Sequence, residues 1–209
     1  MDVLQKPPRA ALSPLFFVAL ALALWGCSGP KAADSPVPIS NETVDAHIRY
    51  LSSDEMKGRD AFSPDIAMAE DYIADRFRDA GLSEFPEFPG YRDAFSHEYR
   101  PRRNPDAEPT TYNLTNIVGY IEGTDPTLKD EYILFGAHHD HLGVRGEEED
   151  NIYNGADDNA AGTTAVIALA EYFARVGNNR RSIIFATFTA EEKGLIGARH
   201  LASNLPIQD

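Results

Sequence analysis

The chain has 209 residues, of which 43% are hydrophobic, which suits a single globular domain and argues against global disorder. Its net charge of −14 at pH 7 opposes nucleic-acid binding, because phosphate contacts need a basic face. The single cysteine, Cys27, excludes a disulfide within one molecule. The sequence shows no repeats and no second globular domain.

The first 26 residues have the pattern of an export signal. Two basic residues precede the uninterrupted apolar run 15–25, which is too short to span a bilayer as a mature helix. The run ends in the sequence LWGC at 24–27, which resembles the lipobox of bacterial lipoproteins. We therefore predict a lipoprotein signal peptide at 1–26 and a lipid on Cys27 that anchors the protein in the bacterial cell envelope, at the outer membrane or the periplasmic face. An ordinary secretory signal with an incidental cysteine is the alternative.

The next segment, 27–38, is rich in Ala, Pro, Ser and Lys, which predicts a flexible tether. Residues 39–209 are expected to form one domain. Its first part carries two amphipathic helical patterns, one around Ile48 and one over 66–80, and both stripes are typical of core-facing helices. Residues 83–112 contain five prolines and several aromatic residues, which indicates irregular strands and loops.

A cluster of histidines follows the apolar run 132–137, which predicts a short buried strand. The cluster reads His138-His139-Asp140-His141. In an extended chain, His138 and Asp140 face one side while His139 faces the other. Imidazole and carboxylate groups are zinc ligands, and a ligating histidine usually donates its second N–H to a carboxylate or carbonyl. A polar strand end without metal remains the alternative, and it is favoured for His139 and His141.

Two further acidic clusters follow in the order expected for a βαβ unit. The sequence GADDN at 155–159 opens a helical pattern that ends near Gly177, and the strand-like run 182–188 precedes AEEKG at 190–194. Because the carboxyl ends of parallel strands share one edge of a sheet, His138 is expected to lie near the glutamates of the last cluster. This arrangement is typical of a metal-dependent hydrolase.

The acidic residues also have structural interpretations. Asp157, Asp158 and Asn159 suit the start of a helix, and Glu191 and Glu192 could cap the helix that follows them. Two adjacent carboxylates at the end of a buried strand repel each other without a cation, which favours a metal site. The acidic run 147–150 could attract the amino terminus of a substrate, but a solvated loop tip is the favoured interpretation.

Three ordered motifs carry a resemblance to a known family. The sequences GAHHDHLG, NGADDNAAG and ATFTAEEKGLIG resemble the co-catalytic di-zinc aminopeptidases of the bacterial leucyl-aminopeptidase and aminopeptidase Y type, metallopeptidase family twenty-eight. The similarity extends upstream to LSSDE with Gly58-Arg59 and to Asn116-Ile117-Val118-Gly119. It implies an α/β fold of the zinc-dependent exopeptidase type, a three-layer sandwich with a mostly parallel central sheet flanked by helices.

The resemblance also implies a role for each matched residue. His138 would bind one of two zinc ions, Glu192 would bind the other, and Asp157 would bridge both. Glu191 would be the general base and Asp140 the partner of His138. The family further implies a cis peptide between Asp157 and Asp158.

The end of the sequence departs from the family pattern. A complete site takes a further aspartate and a further histidine from later strands or loops, yet the chain has only 17 residues after Glu192. His200 and Asp209 are the possible ligands there, and His200 is expected to lie on a helix surface instead. We therefore expect an amino-terminal part of the domain, with the carboxyl-terminal part missing, that is inactive alone because two metal ligands are absent.

The sequence thus predicts a zinc metallopeptidase that releases amino-terminal residues from peptides, using a water that bridges two zinc ions and Glu191 as the base. A glutaminyl cyclase-like enzyme with one zinc is the enzymatic alternative. A non-catalytic lipoprotein on the same fold is the alternative from another class, because of the missing ligands.

Overall fold

The computed structural model describes residues 38–101, 104 and 106–207. The predicted signal peptide, the lipidation site Cys27, all but the last residue of the tether and the terminal Asp209 lie outside the described residues. Within the described part of the chain, no helix has both the length and the apolar character needed to cross a membrane.

A four-stranded sheet with helices on both faces forms the centre of the domain. Its order is β1-β2-β6-β3, and a short hairpin of β4 and β5 lies apart from it. The helices are α1 (Asn41–Leu51), α2 (Ile66–Ala80), α3 (Ala161–Val176) and α4 (Ile196–Asn204). The strands are β1 (Arg92–Tyr99), β2 (Thr110–Ile121), β3 (Tyr132–His138), β4 (Gly143–Val144), β5 (Ile152–Tyr153) and β6 (Ser182–Phe188).

The predicted α/β fold is confirmed, but the sheet is mixed rather than mostly parallel. The pairs β1–β2 and β2–β6 are antiparallel, and only β3–β6 is parallel among the described strands. The parallel pair is the one joined through α3, as the βαβ prediction required. The proline-rich segment before residue 112 instead supplies β1 and the start of β2, an antiparallel pair that the sequence pattern did not reveal.

The predicted strand at 132–137 exists, but the prediction that it is buried is wrong. Tyr132, Ile133 and Leu134 are 37, 45 and 43% exposed. β3 lies at the edge of the described sheet and pairs only with β6 there, so its first half lacks a neighbour on one side. β6 lies between two strands, and the hydrophobic residues of its central part are fully buried, as predicted.

The residues of β2 and β6 alternate between two hydrophobic layers. Ile117 and Phe185 pack with residues of α2 and α3, including Phe77 and Ile167. Their chain neighbours point to the opposite face, where Val118 and Ile184 pack against Leu201 of α4 among others. This packing on both faces fixes the sheet, so the carboxyl ends of β3 and β6 form a firm edge at which His138 pairs with Phe188.

The helix ends follow the sequence signals. Ser40 caps α1 by accepting a hydrogen bond from the Thr43 N–H at 3.0 Å. α2 and α3 stop at Gly81 and Gly177, whose φ angles of 78° and 58° suit glycine. α3 begins at Ala161, one residue after the acidic GADDN segment, so that segment lies at the amino-terminal end of the helix.

Candidate metal site

The three motifs meet at the carboxyl edge of the β3–β6 pair. His138 is the last residue of β3, and its Nε2 lies 3.2 Å from Asp158 Oδ1. The same nitrogen lies 3.9 Å from Glu191 Oε2. Side chains from the strand end, from the segment before α3 and from the turn after β6 therefore form one cluster, as the sequence predicted.

Asp140 holds the turn that carries both glutamates. Its carboxylate is fully buried and accepts hydrogen bonds from the Glu191 N–H at 3.0 Å and the Glu192 N–H at 3.3 Å. Asp140 Oδ1 also lies 3.7 Å from His138 Nδ1, and the Asp140 carbonyl oxygen lies 3.1 Å from that nitrogen. The buried Asp140 carboxylate thus contacts both His138 and the backbone of the two glutamates, and it sets their relative positions.

His139 faces away from the cluster, as expected for its place in the strand. The ring is buried, and its Nδ1 lies 3.1 Å from Thr187 Oγ1 of β6. Burial lowers the pKa of His139 to about 4, so the ring is neutral at physiological pH. It is a core residue beneath the site rather than a metal ligand.

His141 lies in the cluster although the sequence favoured a structural role for it. Its Nδ1 is 2.9 Å from Glu192 Oε1, and the residue is buried. One ligand atom each from His141, Asp158 and Glu192 lie within 4.8 Å of one another. The only sequence signal for this position was its place directly after Asp140.

The structure places the carboxylates of the two adjacent aspartates differently. Both residues are exposed, but the Asp158 carboxylate lies near His138, whereas Asp157 is outside the group of potential ligand atoms among the described residues. The cis peptide joins Asp158 to Asn159, one position later than predicted. The segment kinks at Asp158, whose φ and ψ are −118° and 94°, and this backbone conformation decides which carboxylate faces His138.

Asn116 of β2 fixes the turn after β6. Its side chain accepts a hydrogen bond from the Thr189 N–H at 3.0 Å and donates one to the Gly197 carbonyl at 3.0 Å. Between these two points the backbone has positive φ angles at Ala190 and Leu195, 53° and 61°, which are uncommon for residues with a side chain. A buried amide therefore holds both ends of an unusual turn that presents Glu191 and Glu192.

Arg59 joins the segments that carry the cluster. The residue is 1% exposed, and Nε donates to the His139 carbonyl at 2.9 Å. Nη1 donates to the carbonyls of Asn154, at 2.7 Å, and Leu51, and Nη2 donates to the Gly155 carbonyl at 2.9 Å. The guanidinium thus connects the end of β3 with the segment before α3.

Burial lowers the pKa of Arg59 to about 10, and the negative charges of Asp140 and Asp158 oppose this effect. Arg59 therefore keeps its charge at neutral pH. It is a permanent cation beneath an acidic cluster.

His200, one of the two later residues considered as ligands, lies in a different environment. Its Nε2 is 3.1 Å from Asp93 Oδ1, and its ring stacks on Phe95 at a centroid distance of 3.8 Å. It does not belong to the group of potential metal ligands among the described residues. The side chain instead ties α4 to β1.

The donor set fits zinc. Imidazole nitrogens from His138 and His141 and carboxylate oxygens from Asp158 and Glu192 are the ligand types that zinc prefers. Burial disfavours the charged form of His138, but the hydrogen bond to Asp140 and the charges of Asp140 and Glu191 outweigh it and raise its pKa. The negative charges of the cluster therefore favour a bound cation. A divalent metal ion compensates those charges better than a single proton does.

The fold and the cluster define an α/β protein with histidine and carboxylate side chains, suited to a metal ion, at the edge of its sheet. Residues 116–209 match the family described as Peptidase family M28. The family predicted from the three motifs is thereby confirmed.

Curated relatives cover different parts of the chain. A leupeptin-inactivating enzyme 1 of Streptomyces exfoliatus is 27% identical over 204 residues, which are 94% of this chain and 39% of that protein. A probable zinc metalloprotease of Pyrenophora tritici-repentis is 34% identical over 90 residues, 43% of this chain and 20% of that protein. The chain thus spans well under half the length of these relatives.

Solved structures agree on the fold. An aminopeptidase from Aneurinibacillus sp. strain AM-1 superposes with a TM-score of 0.58 at 16% identity, covering 79% of this chain and 66% of that one. A glutaminyl cyclase of Fimbriiglobus ruber gives a TM-score of 0.57 at 17% identity, covering 84% and 59%. At such identities the likeness establishes the architecture alone.

The role of Arg59 can be tested by replacing it with methionine. Arg59→Met removes the donors to four carbonyl groups. The free energy of unfolding should therefore fall by about 3 to 5 kcal/mol, the cost typical of removing one partner of a buried charged interaction. Urea denaturation of the metal-free protein measures this change. Arg49→Met, which removes an exposed cation paired with Asp45 on α1, is the control and should leave the midpoint unchanged. Equal effects of the two changes would contradict the role given to Arg59.

The choice between the adjacent aspartates can be tested by metal binding. Asp158→Asn should weaken zinc binding at least about tenfold, because it removes a carboxylate charge from the group of potential ligands. Asp157→Asn should leave the affinity unchanged, since that carboxylate lies outside the cluster. Equilibrium dialysis against buffered zinc compares the two variants. The reverse order of effects would restore Asp157 as the ligand.

Proposed function

We propose that the chain belongs to a zinc-dependent hydrolase that releases amino-terminal residues from peptides. The observation that carries the proposal is the convergence of His138, Asp158, Glu191 and Glu192 at one sheet edge. The match of residues 116–209 to Peptidase family M28 supports the peptidase class, and two relatives are described as a probable zinc metalloprotease and an aminopeptidase. Peptides with a free amino terminus are the proposed substrates.

The proposed metal centre holds two zinc ions. His138 would bind one ion, Glu192 the other, and the Asp158 carboxylate would bridge them. When bound, two such ions polarise a peptide carbonyl and lower the pKa of water. Asp158 replaces Asp157 in this assignment, because its Oδ1 lies 3.2 Å from His138 Nε2.

Glu191 is the proposed general base. It sits beside the cluster, partly exposed, and no hydrogen bond holds its carboxylate among the described residues, so it can turn toward a bound substrate. Its carboxylate would accept a proton from the attacking water and then deliver that proton to the leaving amine. Asp140 positions Glu191 through the backbone N–H and does not take part in the proton transfer itself.

We also propose that the 209 residues are inactive alone. Among the described residues, the metal position of His138 has Asp158 as its one further protein ligand, whereas a catalytic zinc site uses three. Activity is therefore to be measured on the complete gene product. Hydrolysis by the 209-residue chain at a comparable rate would contradict this proposal.

The two adjacent glutamates should respond differently to the same substitution. Glu191→Gln keeps the shape of the side chain and removes the base, so zinc content should stay the same while turnover falls by roughly 10² to 10⁴. Glu192→Gln removes an anionic ligand, so zinc content should fall. Zinc analysis and rates of peptide hydrolysis on both variants of the complete gene product test the assignment.

The results distinguish three functions. If Glu191→Gln loses metal while Glu192→Gln retains it, the two roles are reversed. Cyclisation of a peptide with amino-terminal glutamine, without hydrolysis of other peptides, would indicate a glutaminyl cyclase, an activity found on the same fold. A protein that binds zinc and converts neither substrate would be a non-catalytic lipoprotein.

For localisation, we propose that Cys27 carries a lipid that anchors the protein to the cell envelope. The support is the sequence LWGC at the end of the apolar run. Cys27→Ser should abolish incorporation of labelled fatty acid and move the protein from the membrane fraction to the soluble fraction. Ser28→Ala is the matched control and should remain in the membrane fraction. Unchanged labelling of Cys27→Ser would exclude lipidation at this site.

A further inference from the structure

His141 is the one buried histidine of the cluster that the proposed mechanism does not use. It comes from the same strand end as His138, but its ring is directed to the other glutamate. Its Nδ1 lies 2.9 Å from Glu192 Oε1, whereas His138 Nε2 lies near Asp158 and Glu191. The two histidines therefore serve different parts of the cluster.

The backbone and the surroundings of His141 fix the direction of its ring. The His141 N–H donates to the Arg59 carbonyl at 2.9 Å, and the residue forms a parallel bridge with Asp60. On the other side the ring lies against Gly155, where an added Cβ would come within 2.5 Å of the ring carbon Cδ2. Because a side chain at position 155 would displace the ring, this glycine makes room for His141 beside Glu192.

We infer that His141 is a metal ligand and that it completes one metal position with Asp158 and Glu192. Potential ligand atoms of these three residues lie within 4.8 Å of one another, a spacing that small side-chain rotations can close around one ion. Zinc in catalytic sites takes three protein ligands and leaves a fourth position open. The identity of the metal as zinc rests on the proposed function. The existence of a metal position at these three residues does not.

This inference makes the two metal positions unequal. The metal position at Glu192 has three protein ligands. The metal position at His138 has only Asp158 as a second protein ligand among the described residues. The 209-residue chain should therefore bind one zinc ion tightly and a second one weakly.

A simpler role for His141 would be to orient Glu192 through a hydrogen bond, without touching metal. Asparagine separates the two roles, because its amide can still donate a hydrogen bond to Glu192 but is a poor zinc ligand. If His141 only orients Glu192, the asparagine variant should retain most of its zinc affinity. If His141 binds the metal, the asparagine variant should lose that affinity.

The experiment measures zinc affinity and stoichiometry of the 209-residue chain by equilibrium dialysis. His141→Ala and His141→Asn should both lose the tight zinc, by more than the roughly 10- to 100-fold that loss of an outer partner costs. His97→Ala, which removes a partly exposed histidine of β1, should bind zinc as the parent chain does. Circular dichroism of the metal-free proteins verifies that each variant is folded.

Cobalt substitution gives a second readout that does not depend on activity. The visible absorption of bound Co²⁺ reports its ligands, so it should change in His141→Asn and stay the same in His97→Ala. If His141→Asn binds zinc with parental affinity and gives the parental cobalt spectrum, the inference is overturned. A complete gene product that hydrolyses no peptide, but loses tight zinc on His141→Asn, would refute the peptidase and leave the ligand assignment standing.

Discussion

The candidate metal site depends on the hydrogen bonds that the buried guanidinium of Arg59 donates. A cation removed from water needs hydrogen-bond partners, and four of the five N–H groups of Arg59 donate to backbone carbonyls, those of Leu51, His139, Asn154 and Gly155. These carbonyls belong to the end of α1, the end of β3 and the segment before α3. None of the three can move without leaving part of a buried charge unpaired, so their relative positions are set before any metal binds.

A buried charge with hydrogen bonds to the main chain also organises the turn that carries Glu191 and Glu192, but here the charge is negative. Asp140 is a buried anion, and it takes its hydrogen bonds from the backbone N–H groups of Glu191 and Glu192. Because the backbone satisfies Asp140, the glutamate side chains are left to face the cluster. Arg59 and Asp140 therefore use main-chain groups for support and leave the side chains of the site available for a cation and a substrate.

Local patterns revealed much of the fold. The apolar run of β6, the helical spacing of α3 and its glycine stop, and the acidic segments at their ends were readable because each depends on residues close together in the sequence. The exposure of β3 and the antiparallel pairing of β1 with β2 were not readable. Both depend on which strand lies beside which, and a strand's own sequence does not state its neighbours.

The sequence by itself determined the family and the chemical type of the site, because three motifs with histidine, aspartate and glutamate follow one another in a fixed order. Only the tertiary structure decided which atoms meet. Asp158 rather than Asp157 faces His138 because of a backbone kink, and His141 reaches Glu192 because Gly155 leaves space for its ring. Adjacent residues of the same type are equivalent in a sequence pattern, whereas backbone dihedral angles send their side chains in different directions.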